Sequence, residues 1–201
     1  MKQERCDIVP LHKEVIALDR EQAQEEVKKR VKNRNLLKHM YAVEAVMGQL
    51  ARRLGGPEEQ WALAGLLHDI DYEETADNPQ RHSLVGGDIL ADLGVDEDIV
   101  YAVKVHNPAH GLERRTLMDS ALHIADPLTG LIVAAALIHP VKKLAALDSQ
   151  FVLNRFGEKQ FARGANREQI ALCQEELGLG LEEFISLGLE AMQAIADDLG
   201  L

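Results

Sequence analysis

One stretch narrows the folds open to this chain. Trp61-Ala-Leu-Ala-Gly-Leu-Leu-His-Asp-Ile-Asp71 is an apolar helical run that ends on an adjacent histidine and aspartate. An ionisable pair such as His68-Asp69 is costly to bury unless its charge is compensated. A divalent cation compensates it, because a neutral imidazole and a carboxylate are both good ligands for one. Neighbouring helical side chains diverge by about 100°, so this dyad cannot enclose an ion. The remaining ligands must come from other parts of the chain.

The rest of the sequence is written for helices. Only 4% of residues are aromatic, while Ala, Leu, Glu and Gln are abundant, which favours helix over strand. Residues 1–18 lack periodicity and form a lead interrupted by Pro10. Asp19 caps a peripheral helix to about Lys32, with Val27 and Val31 on its thin apolar stripe. Asn35 reads as the cap of a helix over 36–54 that stops at Gly55-Gly56-Pro57 and turns His39 inward with Val43, Val46 and Leu50. Pro57 suits a first helical turn, so the His-Asp helix covers 58–70. A turn-rich acidic loop, 71–79, precedes a helix over 80–93 with His82 in its first turn. Asp96 caps the next helix, which ends on His106 before Asn107-Pro108. Thr116-Leu-Met-Asp119 is a capping-box pattern. The helix it starts is expected to break at Asp126-Pro127 and restart over 128–139. Further helices are expected over 141–147, 148–162, 167–177 and 181–199. The fold class is therefore all-α, a helical bundle with additional C-terminal helices. Residues 1–34 form the lead and peripheral helix, 35–130 the core, and 131–201 a helical extension packed on it.

The inward candidates, in chain order, are His39, His68, Asp69, His82, His106 and Asp126. Each lies on the apolar face or near the end of an expected helix, where ligands from separate helices converge in a bundle. His39, His68, Asp69 and Asp126 would hold one ion. His82 and His106 would add nitrogen ligands for a second, with the Asp69 carboxylate as bridge. Singly, each residue has a plainer reading; Asp126 before Pro127 alone is a good N-cap. His123 lies between Asp119 and Asp126 and is expected to pair locally rather than to ligate. Mixed nitrogen and oxygen ligands suit divalent Fe, Mn, Co, Ni or Zn.

The ordered set resembles the HD superfamily of metal-dependent phosphohydrolases, whose pattern is H…HD…D. Leu66-Leu-His-Asp-Ile70 is similar to the family's central motif, and the resemblance runs from about Asn35 to Gly130. His82 and His106 give the H…HD…H…H…D order of the binuclear members, which include HDIG-type proteins and bacterial diadenosine tetraphosphatases. The resemblance implies an HD-domain bundle and hydrolysis of a phosphate ester or anhydride by a metal-activated water. One departure stands out. Where many binuclear members read HD-I-G-K, this chain has Asp71 and Tyr72, so that lysine is missing.

Around the ligands, Glu73 and Glu74 are the acidic-loop candidates for general acid or base beside Asp69. Arg81 and Lys104 are the cations nearest the ligands in sequence. Arg155, Lys159 and Arg163, at spacing four, are expected to share a helical face. With Lys142, Lys143 and Arg167 they would offer a surface for substrate phosphates.

The expected substrate is a small phosphorylated molecule, a nucleotide among the candidates. Two alternatives share these ligands: a diiron oxygenase with the same ligand order, and a non-catalytic module that senses a ligand. The net charge of −11 argues against general nucleic-acid binding. The longest apolar run, 131–138, is too short for a bilayer, so no membrane is expected. Cys6 and Cys173 form no C-x-x-C pair and no secretory signal is seen, which fits reduced thiols and a cytoplasmic location. Assembly as a homo-oligomer is left open.

Overall fold

The structure, a computed structural model, describes residues 18–201. The expected lead, with Cys6 and His12, lies outside the described residues. Among those described, the regular elements are helical and none is a strand, so the fold is an all-α bundle.

Helix α1 (Arg20–Arg30) starts in a capping box between Asp19 and Gln22 and buries Ala23 and Val27. Arg20 reaches Glu44 on helix α2 (Arg34–Leu54) through two nitrogens, which holds α1 against the bundle. Asn33, rather than Asn35, caps α2: its side chain accepts the N–H groups of Asn35 and Leu36. Met40, Val43, Met47 and Leu50 line the buried face of α2. Helix α3 (Glu58–Leu67) lies against that helix at van der Waals contact, and Gly65 is the reason. A Cβ at Gly65 would stand 2.8 Å from the Val43 carbonyl oxygen and the Glu44 nitrogen. Only glycine lets the backbones approach this closely, and the approach carries His68 to His39.

Pro57 occupies the N-cap of α3 instead of its first turn, and α3 stops at Leu67, three residues earlier than expected. The acidic loop contains a one-turn helix, α4 (Tyr72–Thr75). Helix α5 (Leu84–Asp92) begins later than expected, so His82 sits in the preceding turns and not in a first helical turn. Helix α6 (Glu97–His106) is capped by Asp96 as expected.

Helix α7 (Leu117–Ile138) starts at the Thr116–Asp119 capping box and runs unbroken through Pro127. The expected break at Asp126-Pro127 is therefore corrected. A proline inside a helix leaves the carbonyl four residues back without its partner and commonly costs about 3 kcal/mol or more. Here that carbonyl belongs to His123, and the side-chain amide of Gln169 donates to it. The penalty is offset from outside the helix, and Asp126 stays in the helix interior rather than at an N-cap. By length and composition α7 could cross a bilayer, but 61% of its most apolar window is buried in the bundle. It is the central helix, packed against α2, α6 and most of the helices that follow it in the chain.

The C-terminal helices are shorter than expected: α8 (Ser149–Gly157), α9 (Arg167–Ala171), α10 (Cys173–Leu177), α11 (Leu181–Ala194) and α12 (Ala196–Leu199). A 3-10 turn at Leu144–Ala146 replaces the expected helix over 141–147. Helix α11 packs on α2, α7 and α8, so one hydrophobic core runs through the described chain.

Candidate metal centre

Five elements meet at one point inside the bundle. His39 comes from α2 and His68-Asp69 from the end of α3. His82 comes from the turns before α5, His106 from the last residue of α6, and Asp126 from the middle of α7. His39 Nε2 lies 3.1 Å from Asp126 Oδ1 and 3.7 Å from Asp69 Oδ2. His68 Nε2 is 3.4 Å from that same Asp69 oxygen. The other Asp69 oxygen, Oδ1, is 3.3 Å from His82 Nε2 and 3.8 Å from His106 Nε2. Asp69 therefore turns one oxygen to each of two histidine pairs. Ligand atoms fall within 4.8 Å of one another in three overlapping sets: His39, His68, Asp69; His68, His106, Asp126; and Asp69, His82, His106.

The orientation of the four imidazoles is fixed from behind. Each Nδ1 faces an oxygen: Gly65 O for His68 at 2.8 Å, Val103 O for His106 at 2.6 Å, Asp71 Oδ1 for His82 at 3.0 Å, and Thr129 Oγ for His39 at 3.1 Å. The Thr129 hydroxyl donates to the Asp126 carbonyl, which leaves its lone pair for the His39 Nδ1–H. With Nδ1 donating, every Nε2 presents its lone pair to the centre, the arrangement that metal-bound histidines require. His39 and His68 aim their Nε2 atoms at each other across 3.2 Å. Two such lone pairs repel unless a proton or a cation lies between them. The donor set therefore fits divalent transition metals, and its two-sided carboxylate fits a pair of them.

The electrostatics of the pocket supply that proton. Burial works against charging His68, yet the adjacent Asp69 carboxylate overrides it and raises His68 to about 9. Asp69 is itself held well below the usual carboxylate range: burial opposes this, and His68, then His39 and His106, more than compensate. Asp126 is lowered likewise, against burial, by its hydrogen bond to His39. His106 is pushed down to about 4, first by burial and then by cationic His68, so it is neutral at pH 7. Exposure is uneven. The His68 and His106 side chains are closed off, while those of His39 and Asp126 are 24% and 32% exposed, which marks the side on which the centre opens to solvent.

Other sequence candidates are placed elsewhere. The Glu73 carboxylate accepts the backbone N–H groups of Lys32 and Asn33. That corrects its expected acid–base role: it ties the α1–α2 junction to α4. Glu74 is exposed and pairs with Arg81 at 3.4 Å, and Lys104 pairs with Asp88. The expected shared face of Arg155, Lys159 and Arg163 does not form, because α8 ends at Gly157. Arg155 turns to Glu158. Arg167 spends its guanidinium on the carbonyls of Phe156, Ala162, Ala165, Arg155 and Phe161, so it is structural and not a phosphate ligand. Lys142 and Lys143 lie exposed in the turn after α7. His123 donates to the His106 carbonyl and takes no place among the clustered ligand atoms. The sequence marks Asp71 only as a member of the acidic loop, where many binuclear members have glycine, and gives Thr129 no role. Thr129 lies three residues after Asp126, a spacing that puts both on one helix face and could have flagged it.

Fold and side chains together define an all-helical protein with a histidine–aspartate cluster that could hold divalent metal. The HD domain family model matches residues 36–131. Ribonuclease Y of Nitratidesulfovibrio vulgaris strain DP4 is 30% identical over 147 residues, 72% of this chain and 28% of that protein. Ribonuclease Y of Desulfotalea psychrophila is 30% identical over 139 residues, 67% of this chain and 26% of that protein. The chain thus spans little more than a quarter of the length of these relatives. Residues 36–131 carry an HD domain, the domain of a superfamily of metal-dependent phosphohydrolases.

Proposed function

We propose that this protein hydrolyses a phosphate ester or anhydride of a small molecule, a nucleotide being the leading candidate. The observation that carries the reading is Asp69, which turns its two oxygens to opposite histidine pairs whose Nε2 atoms all face inward. Two divalent ions bound there would supply an activated water and polarise the phosphoryl oxygens. The chain's own part is to hold the ligands. Hydrogen bonds behind each imidazole fix its lone pair, and the closed side of His68 and His106 excludes bulk water. The open edge at His39 and Asp126 admits the phosphate. The net charge of −11 favours a compact substrate, whose few charges the ions can neutralise, over a polyanion held along a surface.

The relatives' name supports a second reading, cleavage of an RNA phosphodiester. The two separate in one assay. Protein loaded with Mn, Co, Ni or Fe is incubated with a panel of phosphorylated metabolites, a dinucleotide and a short oligoribonucleotide, and phosphate release and chain cleavage are measured. Turnover of small phosphates with an intact oligonucleotide is the expected result. Cleavage of the oligonucleotide alone selects the second reading, and no cleavage of any compound overturns both.

A further inference from the structure

We propose that Asp71 is a positioning residue for one half of the metal centre: it selects the His82 tautomer that can ligate the ion on the His82–His106 side. The inference rests on the two-ion reading of the site. Three of the four imidazoles lean on neutral oxygens, but His82 leans on a carboxylate. The carboxylate in contact with both His82 and His106 is Asp69, and Asp126 comes within 4.8 Å of His106. Asp71 adds a further carboxylate, placed behind the His82 ring. A carboxylate behind a ligating imidazole fixes its tautomer and raises its basicity.

Several features show that this arrangement is built into the fold. The Asp71 side chain is fully buried. Its Oδ1 accepts only from His82, while its Oδ2 accepts the backbone N–H groups of Ser83 at 2.8 Å and Gly86 at 2.9 Å. Gly86 makes room for it, since a Cβ there would meet the carboxylate at 3.1 Å. Ser83 is held at φ +70°, a strained conformation for a residue with a side chain, and its hydroxyl is tied to the Lys104 carbonyl. The His82 carbonyl is gripped by Asn107 and His110. Main chain and ring of His82 are thus fixed independently.

The division of labour between the two Asp71 oxygens yields the test. In Asp71→Asn, the single oxygen at the Oδ2 position keeps both backbone bonds. The amide N–H₂ then replaces Oδ1 and donates to His82 Nδ1, which puts the ring proton on Nε2, where the ion should bind. Asp71→Ala instead removes the backbone bonds but leaves the tautomer free. If Asp71 were merely structural, Ala would be the worse change by every measure. Metal content, affinity and urea unfolding are compared for wild type, Asp71→Asn and Asp71→Ala, with Mn²⁺ or Co²⁺ as the probe. The positioning role predicts that Asn is the more stable variant yet binds the second ion at least as poorly as Ala does, with a loss of about 10–100-fold while one ion is retained.

A long-range ¹H–¹⁵N spectrum of the zinc-loaded wild type supplies a check that needs no variant at Asp71. It should show His82 protonated on Nδ1, with the signal assigned by its loss in His82→Gln. Two tightly held ions in folded Asp71→Asn, or His82 protonated on Nε2 in the wild type, would overturn the inference. A wild type that binds no metal overturns the reading beneath it and the inference with it.

Discussion

Metal binding to this pocket should expel a proton, and the cost can be worked out. The perturbation is pH. Without metal, His68 is protonated up to about 9 because Asp69 is beside it, and its Nε2–H occupies the direction the ion needs. His106, held down to about 4, has no proton to lose near neutrality. At pH 7 His68 lies about two units below its midpoint. Each unit corresponds to 1.36 kcal/mol, so removing that proton costs metal binding roughly 3 kcal/mol at pH 7. The sign follows: apparent affinity rises about tenfold per pH unit from 6.5 toward 9 and then levels off. The assay is titration calorimetry with Mn²⁺ or Co²⁺ between pH 6.5 and 8, repeated in buffers of different ionisation enthalpy to count released protons. At least one proton per chain should appear. Pronounced affinity with no proton release and no pH dependence would refute the reasoning, because it would mean the ion binds without displacing the His68 proton.

Three further outcomes follow from the packing and the ligand set. His68→Ala or Asp69→Ala should abolish bound metal and hydrolysis, whereas His123→Ala should keep the metal; elemental analysis of the purified variants checks all three. Gly65→Ala should destabilise by about 1–3 kcal/mol in urea unfolding, because the gap between α2 and α3 must open, although alanine is the better helix former; an unchanged or raised midpoint contradicts the contact. Arg167→Met should lower stability by roughly 1.5–3 kcal/mol, the net worth of a hydrogen bond to a charged group, and leave metal content alone; a fall in metal content would show that Arg167 bears on the centre.

What could be read from the sequence was what depends on local period and local caps. Val43, Val46 and Leu50 declare the buried face of α2, and Thr116 with Asp119 declares the start of α7. Those signals are carried within one helix. The errors arose where a distant residue decides a local outcome. Pro127 signals a break, and only Gln169, from another helix, supplies the missing donor to His123. His82 reads as a first-turn residue of a helix over 80–93, yet Asp71 and a strained Ser83 hold it in the turns before one. Glu73 reads as a free acid on a loop until the N–H groups of Lys32 and Asn33 are seen to take its carboxylate. The basic residues after α7 suggested a phosphate face by spacing alone, and the end of α8 at Gly157 removed that spacing's meaning.

The central claim is that Asp69 stands between two cations. Anomalous diffraction from crystals grown with Mn²⁺ measures this most directly. Two peaks about 3.5–4 Å apart, one on the His39–His68 side of the Asp69 carboxylate and one on the His82–His106 side, are the predicted result. A single peak, or none within ligand distance of Asp69, would contradict the account.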